Sequence, residues 1–129
     1  MATLISLITL VVPDYDDAIA FYVGSLGFTL LEDTNLGGGK RWVRVAPNGA
    51  ETAVLLARAV DEQQEAAVGN QTGGRVAFFL QTDDFARDHH AFVERGVQFL
   101  EEPRREPYGT VAVFQDPFGN KWDLIEPAN

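Results

Sequence analysis

A chain of 129 residues fits one domain, and a content of 46% hydrophobic and 11% aromatic residues supplies a core and excludes disorder. The net charge of −9 repels phosphate backbones and argues against nucleic acid as a partner, while suiting either solubility or the attraction of a cationic ligand. With no cysteine there are no disulfides, thiolate nucleophiles or zinc–sulfur sites, and no apolar run nears the ~20 residues of a membrane-spanning helix, which predicts a cytoplasmic protein without a membrane partner.

Leu4 to Val12, interrupted by Ser6 and Thr9 and stopped by Pro13, reads as a buried strand. It lacks the basic start and small-residue cleavage site of a signal peptide. Asp14 or Asp16 is placed to cap the next helix, because a carboxylate accepts the free N–H groups of a first turn. Ala18, Ile19, Phe21, Tyr22 and Leu26 give that helix one apolar face, and Gly27 ends it. Phe28 to Glu32 is predicted as a strand, Gly37-Gly38-Gly39 as a turn, Lys40 to Ala46 as a strand closed by Pro47-Asn48-Gly49, and Thr52 to Ala57 as a fourth strand. Val60 to Val68, polar with several alanines, is a short helix or a connecting loop, and Gly69 to Gly74 is a loop.

The same order then recurs. Arg75 to Thr82 reads as a strand, and Asp83 or Asp84 caps a helix whose inner face carries Phe85, His89, Phe92 and Val93 up to Gly96. Val97 to Leu100 is a strand, Glu102 to Pro107 a loop, Tyr108 to Phe114 a strand, Asp116 to Asn120 a turn, and Lys121 to Glu126 the last strand. Asp14 to Glu32 matches Asp83 to Glu101 at an offset of 69, which lays Gly27 on Gly96 and Glu32 on Glu101. Outside the helices the offset is nearer 70, with Asp14 on Asp84 and Gly49 on Gly119. A period of that length is half a domain, too long for a solenoid. The predicted fold is therefore α+β, two tandem βαβββ modules at about 1–58 and 74–127 joined by a linker at 59–73, their sheets forming a cup.

Val12 to Phe28, with its V-P-D-Y-D-D-A-I-A-F-Y…L-G-F pattern, resembles the first-module signature of the vicinal oxygen chelate superfamily. That superfamily includes glyoxalase I, bleomycin-resistance proteins, extradiol dioxygenases, fosfomycin-resistance enzymes and methylmalonyl-CoA epimerase. Thr82 to Phe99 is similar to its second-module counterpart, and Asp116-Pro117-Phe118-Gly119-Asn120 with Trp122-Asp123-Leu124 to its closing turn and last strand. The resemblance spans Leu4 to Pro127 and implies the glyoxalase/bleomycin resistance/dihydroxybiphenyl dioxygenase fold, with a homodimer as the expected assembly. It leaves the activity open, because this scaffold serves unrelated reactions.

Metal-dependent members of that superfamily hold a divalent ion with a His on the first strand and a Glu on the last strand of each module. Carried onto this chain, those positions are Leu7, Ala77, Asp123 and Ala53, or Leu55 in place of Ala53 if the strand slips by two. Only Asp123 is a ligand type, so no metal and no cofactor is expected. His89 and His90 are adjacent on a helix, about 100° apart, and cannot chelate one ion together. Gly37-Gly38-Gly39 lacks the Lys-Ser/Thr of a P-loop, and no Gly-x-Ser-x-Gly motif is present.

Strand alternation places Leu7, Thr9, Ala77, Phe79, Gln81 and Asp123 on the cup side, an apolar lining with a few polar groups. Trp42, Tyr108 and Trp122 are further candidates for stacking on a planar or cationic ligand, the tryptophans serving otherwise as core or dimer packing. Arg41, Arg44 or Arg75 near the mouth either grips a carboxylate or phosphate or keeps a strand end soluble. In a dry cup Asp123 is a candidate general acid or base; otherwise it accepts from a neighbouring Arg or a backbone N–H. The expected function is binding of a small organic molecule, cationic or aromatic. The alternative is a glyoxalase- or dioxygenase-type enzyme using a displaced metal or Asp123.

Overall fold

Alternating apolar residues and two aspartate caps produce the same βαβββ unit twice in the computed structural model, which describes residues 2–129. The first unit ends at Val68 and the second begins at Gly69. In the first, β1 (Leu7–Val12) leads to α1 (Tyr15–Ile19) and a π-helical stretch (Ala20–Ser25), then β2 (Thr29–Gly37), β3 (Lys40–Ala46), β4 (Ala53–Arg58) and α2 (Glu62–Ala67). The sheet order is β1-β4-β3-β2, with β1 and β4 parallel and the other pairs antiparallel. One face of this sheet carries Leu10, Val12, Val43, Val45 and Leu56, all buried together with Ala18, Phe21 and Tyr22 of the helix.

The second unit contains β5 (Val76–Gln81), α3 (Phe85–Glu94), β6 (Gln98–Phe99), β7 (Arg104–Glu106), β8 (Gly109–Gln115) and β9 (Lys121–Pro127). Its order is β5-β9-β8-β6, with β7 also paired to β8 and β5 parallel to β9. The topology is that of the first unit. Its core is more aromatic: Phe114 packs against Phe92, Phe99 and Trp122, and Trp122 stacks on Phe78 at 4.4 Å. Gly69 lies against the Phe118–Gly119 turn so closely that a Cβ there would meet the Phe118 carbonyl oxygen at 1.8 Å.

The drift of the repeat offset has a physical cause at each step. Asp14 and Asp84 are the two caps, 70 apart, accepting from the Asp17 and Arg87 N–H groups at 2.8 and 3.0 Å. The helices close on Gly27 and Gly96, 69 apart, both in the left-handed region. The first helix thus holds one residue more, and it absorbs it as the π-helical stretch, where the Leu26 N–H reaches back five residues to the Phe21 carbonyl. In the last strands the offset falls to 68, because Leu10 pairs with Leu56 whereas Leu80 pairs with Leu124.

Three expectations change. β1 starts at Leu7, leaving Leu4 and Ile5 exposed. β2 continues past Glu32 to Gly37 as an exposed edge whose polar residues hid it from the apolar pattern. The stretch Glu102–Pro107 is not all loop: Pro103 breaks the edge strand, and pairing resumes as β7. At the break Glu101 accepts the Val113 N–H at 3.0 Å, so a side-chain oxygen replaces a missing strand carbonyl.

Candidate functional site

In the first unit, β3 and β4 pair only from Val43↔Leu56 to Val45↔Val54. Beyond that, Lys40 to Trp42 pair with β2 alone and Ala57 and Arg58 with β1 alone, so the two strands part. A cavity of about 340 Å³ opens at this end, lined by Tyr15, Lys40, Arg41, Trp42, Leu55 and Arg58, with Val60 and Gln64 from the α2 segment. That volume is at the lower end of ligand-pocket sizes.

Within this cavity wall Arg41 is fully engaged. It donates to Asp16 at 2.9 Å and to both oxygens of Asp33 at 2.7 and 3.1 Å, and its guanidinium lies 5.1 Å from the Tyr15 ring centre. Hydrogen bonding to Arg41 holds the Asp33 carboxyl below its usual range. The Tyr15 hydroxyl accepts the Arg41 backbone N–H at 3.1 Å, tying the start of α1 to β3. Arg44 donates to Glu32 at 3.0 Å, and Arg75 is exposed just before β5. Of the three arginines singled out in the sequence, only Arg41 reaches the cavity, and its charge is already met. Tyr15, Arg58 and Gln64 were missed: Tyr15 reads as a helix residue, and Arg58 lies one residue past the predicted end of its strand.

Leu7 and Thr9 lie on β1 opposite Ala53 and Leu55, and Thr9, Leu55 and Arg44 form one cross-strand row. In the second unit the corresponding row is Phe79, Asp123 and Val113. Phe79 is 69% exposed and Gln81 is exposed on the same face, opposite Ile125. Ala77 leaves this row: a register shift between Val76 and Phe78 makes it the extra residue of a bulge, which breaks the alternation assumed for 77, 79 and 81. Trp122 lies on the other face. It is 3% exposed, stacked against Phe78 and Phe114, and fills the core instead of lining a site. Trp42 is half-buried in the cavity wall, and Tyr108 is exposed just before β8.

Asp123 is buried, and its Oδ1 has no hydrogen-bond partner. Burial pushes its carboxyl above the usual carboxylate range; Arg104 opposes this and Glu101 reinforces it. Arg104 is held by Glu101 at 3.0 Å and Glu106 at 3.0 Å, so its charge is shared before it reaches Asp123.

The residues present do not fit the divalent ion that the resemblance implies. By the observed registers, Leu55 and not Ala53 is the counterpart of Asp123, and Thr9 and Phe79 stand opposite them. In either alignment only one of the four positions carries a carboxylate or imidazole. His89 is half-buried, stacked on Phe85 and packed against Phe99, while His90 is exposed beside Glu94 at 3.1 Å. Among the described residues no three His, Asp or Glu side chains converge as a metal-holding group.

The family model for the Glyoxalase/Bleomycin resistance protein/Dioxygenase superfamily matches residues 4–124. An uncharacterized protein of Shewanella frigidimarina (strain NCIMB 400) is 51% identical over 121 residues, covering 92% of this chain and 90% of its own. The crystal structure of UcmS2 superposes with a TM-score of 0.85 at 30% identity, over 97% of this chain and 98% of that one. That of TnmS3, an antibiotic binding protein from Streptomyces sp. CB03234, gives a TM-score of 0.80 at 34% identity, over 98% of both chains.

Proposed function

We propose that this chain, which belongs to the glyoxalase/bleomycin resistance protein/dioxygenase superfamily, binds a small organic molecule without a metal ion, as a cytoplasmic homodimer. The observation that carries the reading is the donor set: at the positions where the superfamily's metal ligands stand, only Asp123 bears a ligating group. The similarity to TnmS3, an antibiotic binding protein, supports the same reading. No described helix is long and apolar enough to cross a membrane. We assign the ligand's seat to the cavity beside Trp42. Leu7, Thr9, Phe79, Gln81 and Tyr108 are proposed further contacts on their own units.

A thermal-shift screen against cationic antibiotics, aromatic metabolites and glutathione conjugates tests this. A ligand at one hundred times its Kd stabilises the native state by about 2.7 kcal/mol, so a bound compound raises Tm by several degrees. Purified protein carrying near-stoichiometric iron, nickel, manganese or zinc that is lost on Asp123→Asn overturns the reading. A second reading, an acid–base enzyme, is favoured by the buried, protonation-prone Asp123. Turnover of a bound compound that survives Asp123→Asn removes that residue from catalysis.

A further inference from the structure

The cavity of the first unit is cationic in a chain of net charge −9. Its lining holds Lys40, Arg41 and Arg58 and no acidic residue. Arg41 is neutralised by Asp16 and Asp33, but among the described residues no carboxylate lies within 4 Å of Lys40 or Arg58. Arg58 is nevertheless held in place. Its guanidinium lies 5.6 Å from the Tyr15 ring centre, and Nη2 sits 3.2 Å from where a Cβ on Gly39 would be. Gly39 has φ +83°, so the turn requires glycine there, and the same missing side chain leaves room for the guanidinium.

The second unit holds a carboxylate at this position. Registers through Leu56 and Leu124 make Glu126 the counterpart of Arg58, and the caps make Phe85 the counterpart of Tyr15. Glu126 spends its carboxylate on the Phe85 N–H at 2.7 Å, closing the start of α3. Arg58 makes no such bond; it presents its N–H groups over an aromatic ring, beside Lys40 and a half-buried Trp42. A guanidinium oriented by a ring and not by a carboxylate is available for a bidentate anion. The amide oxygen of Gln64 is fixed by the Val60 N–H at 2.9 Å, and its amide nitrogen makes no hydrogen bond among the described residues.

From this we infer that the cavity takes a planar aromatic molecule carrying a carboxylate, with the ring on Trp42 and Leu55 and the carboxylate on Arg58 and Lys40. The inference rests on the organic-ligand reading and fixes the ligand's charge opposite to that suggested by the net charge. The volume suits one or two fused rings.

The test uses three probes of one shape: 2-naphthoate, the neutral 2-naphthalenemethanol and the cationic 2-naphthylmethylammonium. Each is titrated into 15N-labelled protein while the two indole N–H resonances are followed; Trp42→Phe assigns one, and the core Trp122 serves as the internal reference. The naphthoate is expected to shift the Trp42 signal at the lowest concentration, about tenfold below the alcohol, with the ammonium weakest. Arg58→Gln is expected to cost about tenfold in naphthoate affinity and to leave that of the alcohol unchanged. Lys40→Gln, on an exposed side chain, loses less, and Arg44→Gln, whose charge is taken by Glu32, loses nothing. Ammonium or alcohol binding as tightly as naphthoate overturns the charge assignment and leaves the organic-ligand reading standing. So does wild-type naphthoate affinity in a folded Arg58→Gln, or in Lys40→Gln should Arg58→Gln fail to fold. No binding by any of the three, together with a silent thermal-shift screen, removes both.

Discussion

The last two strands of the second unit, β8 and β9, pair along their whole length from Gly109↔Pro127 to Gln115↔Lys121, whereas their counterparts β3 and β4 keep only three pairs and then part. The core rows of the two units are conserved in kind: Leu10 with Leu56 in one, Leu80 with Leu124 in the other. The outer ends differ. Gly109 allows β8 to approach β9, since a Cβ there would meet the Glu126 carbonyl oxygen at 2.3 Å; its counterpart Lys40 carries a full side chain. Glu126 caps a helix where Arg58 lies on a ring. The difference teaches that a duplicated scaffold keeps the rows that bury apolar surface and diverges where strand ends border solvent. There the second unit has glycine and a full ladder where the first has lysine and strands that part.

The two tryptophans give the largest test of that contrast. Trp122→Ala, which empties the stack between Phe78 and Phe114, is expected to cost about 3–5 kcal/mol in denaturant unfolding. Trp42→Ala, on the cleft wall, is expected to cost about 1 kcal/mol while abolishing the ligand-induced rise in Tm. Equal losses at the two sites break the distinction between core and lining. Next in size is the closing glycine. Gly109→Ala is expected to destabilise by about 1–3 kcal/mol, because the added Cβ lands on Glu126 backbone. Lys40→Ala at the equivalent exposed position is expected to stay within about 0.5 kcal/mol of wild type. A neutral Gly109→Ala shows that the ladder tolerates opening and that glycine is not what keeps it shut.

The topology was legible because it depends on features that a linear pattern carries: two aspartate caps, two closing glycines and alternating apolar strands at one period. Side-chain placement was legible only where the chain is regular. Phe79, Gln81 and Asp123 share a face as alternation predicts, but one extra residue at Ala77 and a turn one residue longer after β3 shift the neighbouring positions, and neither leaves a local signal. Trp122 illustrates a further limit. Its parity puts it opposite Asp123, on the face covered by α3, yet aromatic character alone suits a core and a binding wall equally. The cleft was illegible for a different reason. It arises from pairs that do not form between β3 and β4, and Tyr15 and Arg58 meet across 43 residues of chain.

Asp123 provides the finest test, since the first unit carries Leu55 at the same place. An aspartate whose folded pKa lies above the ordinary 3.8 binds more protons folded than unfolded as the pH rises through that window. Stability therefore falls across the window, and above it the penalty of a buried, unpartnered carboxylate is present in full. Asp123→Leu, which copies the first unit's residue into the second, is expected to raise stability at pH 7 by about 1 kcal/mol. The gain should shrink as the pH falls towards the ordinary 3.8, because the folded carboxyl takes up its proton first and the penalty goes with it. Parallel urea unfolding of wild type and variant at pH 7 and pH 4 reads both the sign and the slope. A variant less stable than wild type at pH 7 means that the carboxylate is stabilised where it stands, and the two cross-strand rows then differ in what they hold as well as in shape.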